Sequence, residues 1–138
     1  MGKLVRFGVS MEEVLLREFD RLLRKRGYRS RSEAVRDLVR DALVRQEWEE
    51  DQEVVGVITL VYEHHRRELT ARLTEVQHHH HDLVAAAMHI HLDEENCLEI
   101  IAVRGPGPTV QALADTLIAQ KGVKHGQLSA TATGARLP

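Results

Sequence analysis

Between Gln77 and Glu99 the chain reads QHHHHDLVAAAMHIHLDEENCLE, and this stretch leaves few ways to fold. Asp82 to Leu92 has the character of a strand, and the polar segment at residues 92–96 fits a hairpin loop. Side chains two apart on a strand share a side, so His89 and His91 point the same way. Such a loop returns Cys97, the only cysteine, to a place opposite His91. Imidazole and thiolate are the donors that borderline and soft transition metals take. The plainer reading is a surface histidine pair beside a buried structural cysteine. The cysteine and the four-histidine run together weigh towards a metal site.

The formal net charge of −2 conceals an asymmetry. Residues 1–46 carry 12 Lys/Arg against 7 Asp/Glu, and residues 47–138 carry 7 against 14. A basic head on an acidic body suggests polyanion binding in the first part and another task in the second. Apolar runs all fall short of the ~20 residues that span a bilayer, and the N-terminus lacks a signal peptide's apolar core. A lone cysteine makes no internal disulfide, and a reducing compartment keeps it available as a ligand. The chain reads as cytoplasmic, without a membrane partner.

In the head, Leu4 to Val9 alternates, with Val5, Phe7 and Val9 on one side and Arg6, Gly8 and Ser10 on the other. Ser10-Met11-Glu12-Glu13 reads as a capping box, placing a helix start near Met11. Leu15, Phe19 and Leu22 form its apolar stripe, and Gly27 stops it. Ser30-Arg31-Ser32-Glu33 opens a second helix with Val35, Leu38, Val39, Ala42 and Leu43 on one face. One strand and two helices in so short a span bury too little apolar surface alone, and a single strand leaves its ladder unpaired. Pairing with a second copy of the strand answers both needs. The product is a two-stranded ribbon that fits the DNA major groove and presents Arg6, Gly8 and Ser10. The start of the second helix, with Arg29, Arg31 and Arg36 nearby, suits phosphate. This pattern resembles the ribbon-helix-helix transcription regulators over residues 3–46. Gly8 departs from it, since a side chain usually reads a base there.

Residues 47–53, EWEEDQE, extend the second helix and release the chain, with Trp48 given a packing role. Val54 to His64 then reads as a buried strand, Arg66 to Gln77 as a helix, Asp82 to Leu92 and Cys97 to Arg104 as strands. Gly105-Pro106-Gly107-Pro108 reads as a turn. Thr109 caps a helix that ends at Gly122, and Leu128 to Thr133 is the last strand. The fold class is therefore α+β: a ribbon-helix-helix domain over residues 1–48, then a ferredoxin-like, ACT-type βαββαβ domain over 53–138.

With the head, the βαββαβ body, QHHHHD, HIHLDEENCLE and KGVKHG in this order, the chain closely resembles the nickel-responsive transcription repressors across residues 3–133. The resemblance implies that His89, His91 and Cys97 of one subunit and His78 of a neighbour hold Ni(II) in a square plane, inside a homotetramer built as a dimer of dimers on double-stranded operator DNA. Planar coordination by imidazole and thiolate suits d8 nickel, whereas a tetrahedral arrangement of the same donors suits zinc. The resemblance further implies a second cation site, formed by the carboxylates of Glu33 and Asp37 with the backbone carbonyls of Ile118, Gln120 and Val123. The plain alternative there is a pair of exposed acids offset by Arg36 and Arg40.

Other histidines carry less. His79, His80 and His81 read as donors behind the ligands, as alternative ligands or as a solvated helix end; His64 and His65 as surface residues; His125 as structural. Glu99, two residues after Cys97, is placed to orient a ligand. Two rival functions remain: an ACT-type regulator gated by an amino acid, and a zinc- or copper-responsive repressor. A metalloenzyme fits poorly, because protein groups fill all four ligand positions.

Overall fold

The computed structural model describes residues 2–138. They divide into two compact units, one running to Leu43 together with Arg136–Pro138, the other Val44–Ala135.

In the first unit α1 spans Glu13–Arg26 and α2 starts at Arg31, running on to Glu49. Gly27 closes α1 at φ 78°, with its N–H donating to the Arg24 carbonyl and that of Tyr28 to the Leu23 carbonyl. Glycine fits this left-handed turn without a side-chain penalty. Ser30 caps α2 as expected, its Oγ accepting the Glu33 N–H at 3.2 Å. The expected cap on α1 is absent. That helix starts at Glu13 rather than near Met11, behind Glu12 with no side-chain cap, so Ser10 is not its capping residue.

Residues 3–12 belong to no helix or strand, where a strand was expected over Leu4–Val9. The physical reason is plain: a strand exists through its ladder, and this unit offers no second strand to pair with. The segment leaves Leu4, Val5, Phe7 and Val9 exposed, and α1 and α2 leave Val14, Leu15, Leu38 and Val39 at least half exposed. Leu23 and Ala34 are the buried apolar residues of this unit.

The second unit has the order β1 (Glu53–Glu63), α3 (Arg67–His79), β2 (Val84–His91), β3 (Asn96–Pro106), α4 (Gly107–Ile118), β4 (Val123–Ala132). The four strands form one antiparallel sheet in the order β2-β3-β1-β4, the expected βαββαβ arrangement. Along β1, Val54, Ile58, Leu60 and Tyr62 alternate inwards and join Ile101 and Val103 of β3. Leu69 and Leu73 of α3, with Val110, Leu113 and Leu117 of α4, cover this face. The period-two burial of the strands thus meets the period-3.6 stripes of both helices. The opposite face is apolar and open at its β2 side, where Met88 is 58% and Ile90 39% exposed.

Several boundaries differ from expectation. Gly105 to Pro108 forms no separate turn: β3 runs through Pro106 and α4 begins at Gly107. Thr109 is not the cap, since Pro106 occupies that place and Pro108 lies in the first helical turn, where a missing N–H costs nothing. The abrupt junction depends on Gly107, whose Cβ, if it had one, would lie 2.3 Å from the Trp48 carbonyl oxygen. Trp48 donates its indole N–H to the Thr131 carbonyl at 2.7 Å, so it packs and hydrogen-bonds at once. The helix α4 stops at Ile118, before Gly122, and β4 begins at Val123 rather than Leu128. Its early residues, Val123 to Gln127, pair with β1 despite their polar character.

Candidate metal centre

The hairpin of β2 and β3 pairs His91 with Cys97 and His89 with Glu99. All four therefore share the face on which Tyr62 and Leu60 lie across the next ladder, paired with Cys97 and Glu99. The loop is tightly made. Asp93 accepts the N–H groups of Glu95 and Asn96 at 2.8 and 2.7 Å and the Asn96 side-chain amide at 3.1 Å. These bonds, led by the Asn96 backbone, hold the Asp93 carboxyl down at about 2. Lys124 Nζ ties the loop to β4 through Asn96 Oδ1 at 2.7 Å.

Cys97 is buried at 1% exposure. Burial is the main influence pushing its thiol up; the Tyr62 hydroxyl opposes it and the Glu99 carboxylate adds to it. A ligating Cys97 thus surrenders a firmly held proton. Glu99, also buried, accepts the Tyr62 hydroxyl at 2.6 Å and the Gln77 amide at 2.7 Å, and its Oε2 lies 3.6 Å from His89 Nε2. Burial first, then Glu99, pushes the Tyr62 hydroxyl far above its ordinary range.

The His64 ring stacks on that of His91, with centroids 4.7 Å apart and planes 4° from parallel, and its buried Nδ1 has no partner. His65 meets the Glu94 carbonyl at 2.9 Å. His78 stands at the end of α3, on the wall of a shallow groove of about 630 Å³ that runs past Thr74 and Thr70 to His64. His80 and His81 sit against the Val76 and His78 carbonyls at 2.9 and 3.2 Å, and His79 lies 3.6 Å from Glu75. These three finish the helix end. His125 pairs with Val61 on the open face.

The donor chemistry suits a borderline metal, with neutral imidazoles and one thiol on neighbouring strands. Among the described residues, however, the side chains of the single chain bring no three His, Cys, Asp or Glu groups together to hold an ion.

In the first unit, Arg6, Gly8 and Ser10 lie on the exposed arm. Arg31 is engaged by Asp20 through two bonds of 2.9 and 2.8 Å, and Arg36 leans on the Ser32 carbonyl at 3.4 Å. Arg29 gives its backbone N–H to Glu33 at 3.4 Å. Asp37 accepts the Tyr28 hydroxyl at 2.6 Å and has Arg40 3.7 Å away. In the second unit the Gln120 carbonyl accepts the Val123 N–H, and its side chain accepts Arg72 Nε. Sequence reasoning passed over Tyr28, Tyr62, Gln77, Asp93 and Asn96. An Asp three residues before Asn in a two-strand loop is a readable turn signal; a phenol inside a buried strand implies a polar partner without naming it.

Comparison with known proteins agrees with this division. The family model described as "NikR C terminal nickel binding domain" matches residues 55–131, and "Ribbon-helix-helix protein, copG family" matches residues 5–46. A protein of Geobacter sulfurreducens named as a nickel-responsive regulator is 56% identical over 138 residues, covering 99% of each chain. Proteins so named from Nitratidesulfovibrio vulgaris (strain DSM 19637 / Miyazaki F) and Syntrophus aciditrophicus are 52% and 50% identical, covering 99% and 98% of their own lengths. A DNA-binding ribbon-helix-helix module followed by a nickel-binding βαββαβ domain defines a metal-responsive transcription regulator rather than an enzyme. The chain belongs to the nickel-responsive regulator family, and Ni(II) is its effector.

Proposed function

We propose that the chain is a nickel-gated repressor with its DNA-binding head over residues 1–48 and its metal-binding body over 53–138. His89, His91 and Cys97 of one subunit and His78 of another form a His3Cys square-planar set in a homotetramer, a dimer of dimers. The pairing of His91 with Cys97, with His89 two residues away on the same face, is the observation that carries this reading. The failure of one chain to close a site by itself favours a donor from a second chain. Bound Ni(II) supplies a fixed planar link between two subunits.

The chain's own groups do the rest. Two arms pair into a ribbon, covering Val5, Phe7 and Val9 and offering Arg6, Gly8 and Ser10 to base edges. Arg29, Arg31 and Arg36 reach phosphates at the start of α2. Glu33 and Asp37 act with the carbonyls of Ile118, Gln120 and Val123 as a second cation site. The setting is cytoplasmic, and no helix is long and apolar enough to cross a membrane.

Gating requires unequal DNA affinity with and without the ion, typically ~1–3 kcal/mol of coupling, and it is reciprocal, so DNA tightens nickel. The test is absorption spectroscopy on metal-free protein titrated with Ni(II). A thiolate charge-transfer band with the d–d bands of a planar site is expected, lost in Cys97→Ala together with nickel-dependent operator binding. A Cys97→Ala protein that keeps its nickel response overturns the reading.

A further inference from the structure

Glu99 is the most deeply buried carboxylate among the described residues, at 2% exposure. An apolar residue of similar volume fills such a place without stranding a charge, so its contacts mark its use. Those contacts come from three elements. Tyr62 on β1 donates to Oε1 at 2.6 Å, which holds the carboxylate in one orientation. Gln77 on the last turn of α3 donates to Oε2 at 2.7 Å. His89 on β2, directly across the ladder, turns Nε2 towards the same oxygen at 3.6 Å. A carboxylate oxygen has two lone pairs, enough for both the amide and the imidazole N–H once the latter closes to hydrogen-bond distance. The neighbour of Gln77 is His78, and Glu99 itself lies two residues from Cys97 on the same face.

We propose that Glu99 is a positioning residue that joins the last turn of α3, through Gln77, to the hairpin bearing His89, His91 and Cys97. The proposal rests on the four-ligand reading given above. With Nε2 facing the carboxylate, His89 presents Nδ1 for ligation, and the carboxylate behind it fixes the tautomer and makes the ring a better donor. Because Oε2 serves His89 and Gln77 together, a shift that draws His89 into a ligand plane is felt at Gln77. His78 is thereby set in the same event as the hairpin.

The experiment uses the full chain, metal-free, as wild type, Glu99→Gln and Gln77→Leu, with Ni(II) as the probe. Three quantities are read: the thiolate charge-transfer band, nickel affinity by competition with a chelator, and hydrogen exchange across residues 74–79 with and without nickel. In the wild type, nickel gives the band and slows exchange in the last turn of α3. Glu99→Gln keeps the band but holds nickel ~10–100-fold more weakly. Gln77→Leu keeps the band and loses the nickel-dependent slowing, and this variant carries the test if Glu99→Gln fails to fold. Wild-type affinity in Glu99→Gln, or full slowing in Gln77→Leu, overturns the proposal. Lower melting temperatures of the metal-free variants with nickel-dependent slowing intact mean a structural brace only, and overturn it too. A wild type without the band brings down the ligand reading itself, a distinct result.

Discussion

His91 faces Cys97 across the β2–β3 ladder, and the His64 ring lies parallel to that of His91 at 4.7 Å. The pairing depends on a loop of fixed length between the two strands, because a slip of one residue sends every side chain to the other face. One added glycine between Asp93 and Glu94 is therefore expected to abolish the nickel charge-transfer band while far-ultraviolet circular dichroism stays near wild type. A band of undiminished intensity in that insertion variant contradicts the placement.

Asp93 predicts an acid-side effect. Its carboxyl is held at about 2 against an ordinary 3.8. A group with a depressed folded-state value stabilises the fold above its ordinary value, and that contribution fades as pH falls towards the folded value. Stability from denaturant melts should drop between pH 4 and 2 more steeply in wild type than in Asp93→Asn. Parallel curves count against the loop geometry.

Cys97 predicts the alkaline counterpart. Burial raises its thiol above the ordinary 9.0. The folded state therefore holds its proton longer than the unfolded state, and stability falls as pH rises above about 9. Tyr62 is pushed the same way, so the comparison must be made within one background. Metal-free Cys97→Ala should lose less stability than wild type between pH 8.5 and 10, read from urea midpoints.

Gly107 predicts a steric effect. A Cβ there meets backbone, the Trp48 carbonyl oxygen at 2.3 Å, which cannot rotate aside as a side chain can. Gly107→Ala should cost ~1–3 kcal/mol, the usual range for forced overpacking. Gly126→Ala meets the Ile118 side chain at 2.6 Å and should cost less. Urea midpoints rank the two, and the reverse order counts against the packing of Trp48.

Arg31 predicts a binding effect. Asp20 grips its guanidinium at both oxygens, which leaves it less free for a phosphate. Asp20→Asn should tighten operator binding, and the slope of log affinity against log salt should steepen by up to ~0.9, one phosphate's worth. An unchanged slope removes Arg31 from the DNA face.

How much of this was visible in the sequence varies by residue. The alternation Val54 to Tyr62 and the apolar stripes of α3 and α4 announced the sheet and its covering helices, because burial on one face imposes a period. His-x-His and the return to Cys97 followed from strand geometry alone. What stayed hidden rests on contacts between distant residues. Pro106 and Gly107 looked like a turn, since the approach of Trp48 that lets strand run into helix has no local signature. Residues 3–12 alternate like a strand, but a ladder needs a partner that one chain does not supply. The Tyr62–Glu99–Gln77 chain of hydrogen bonds joins residues 22 and 37 positions apart, beyond any local pattern.

The strand that carries His89 and His91 lies at the edge of the sheet, hydrogen-bonded to β3 alone and exposed from Ala85 to His91. Edges fray before centres do. A ligand that grips such an edge raises the lowest rung of the protein's stability and leaves the rungs set by β1 and its helices almost untouched. Effector binding should then register as the silencing of local opening at one margin of the body, a signal far larger in exchange rates than in the temperature at which the whole domain melts.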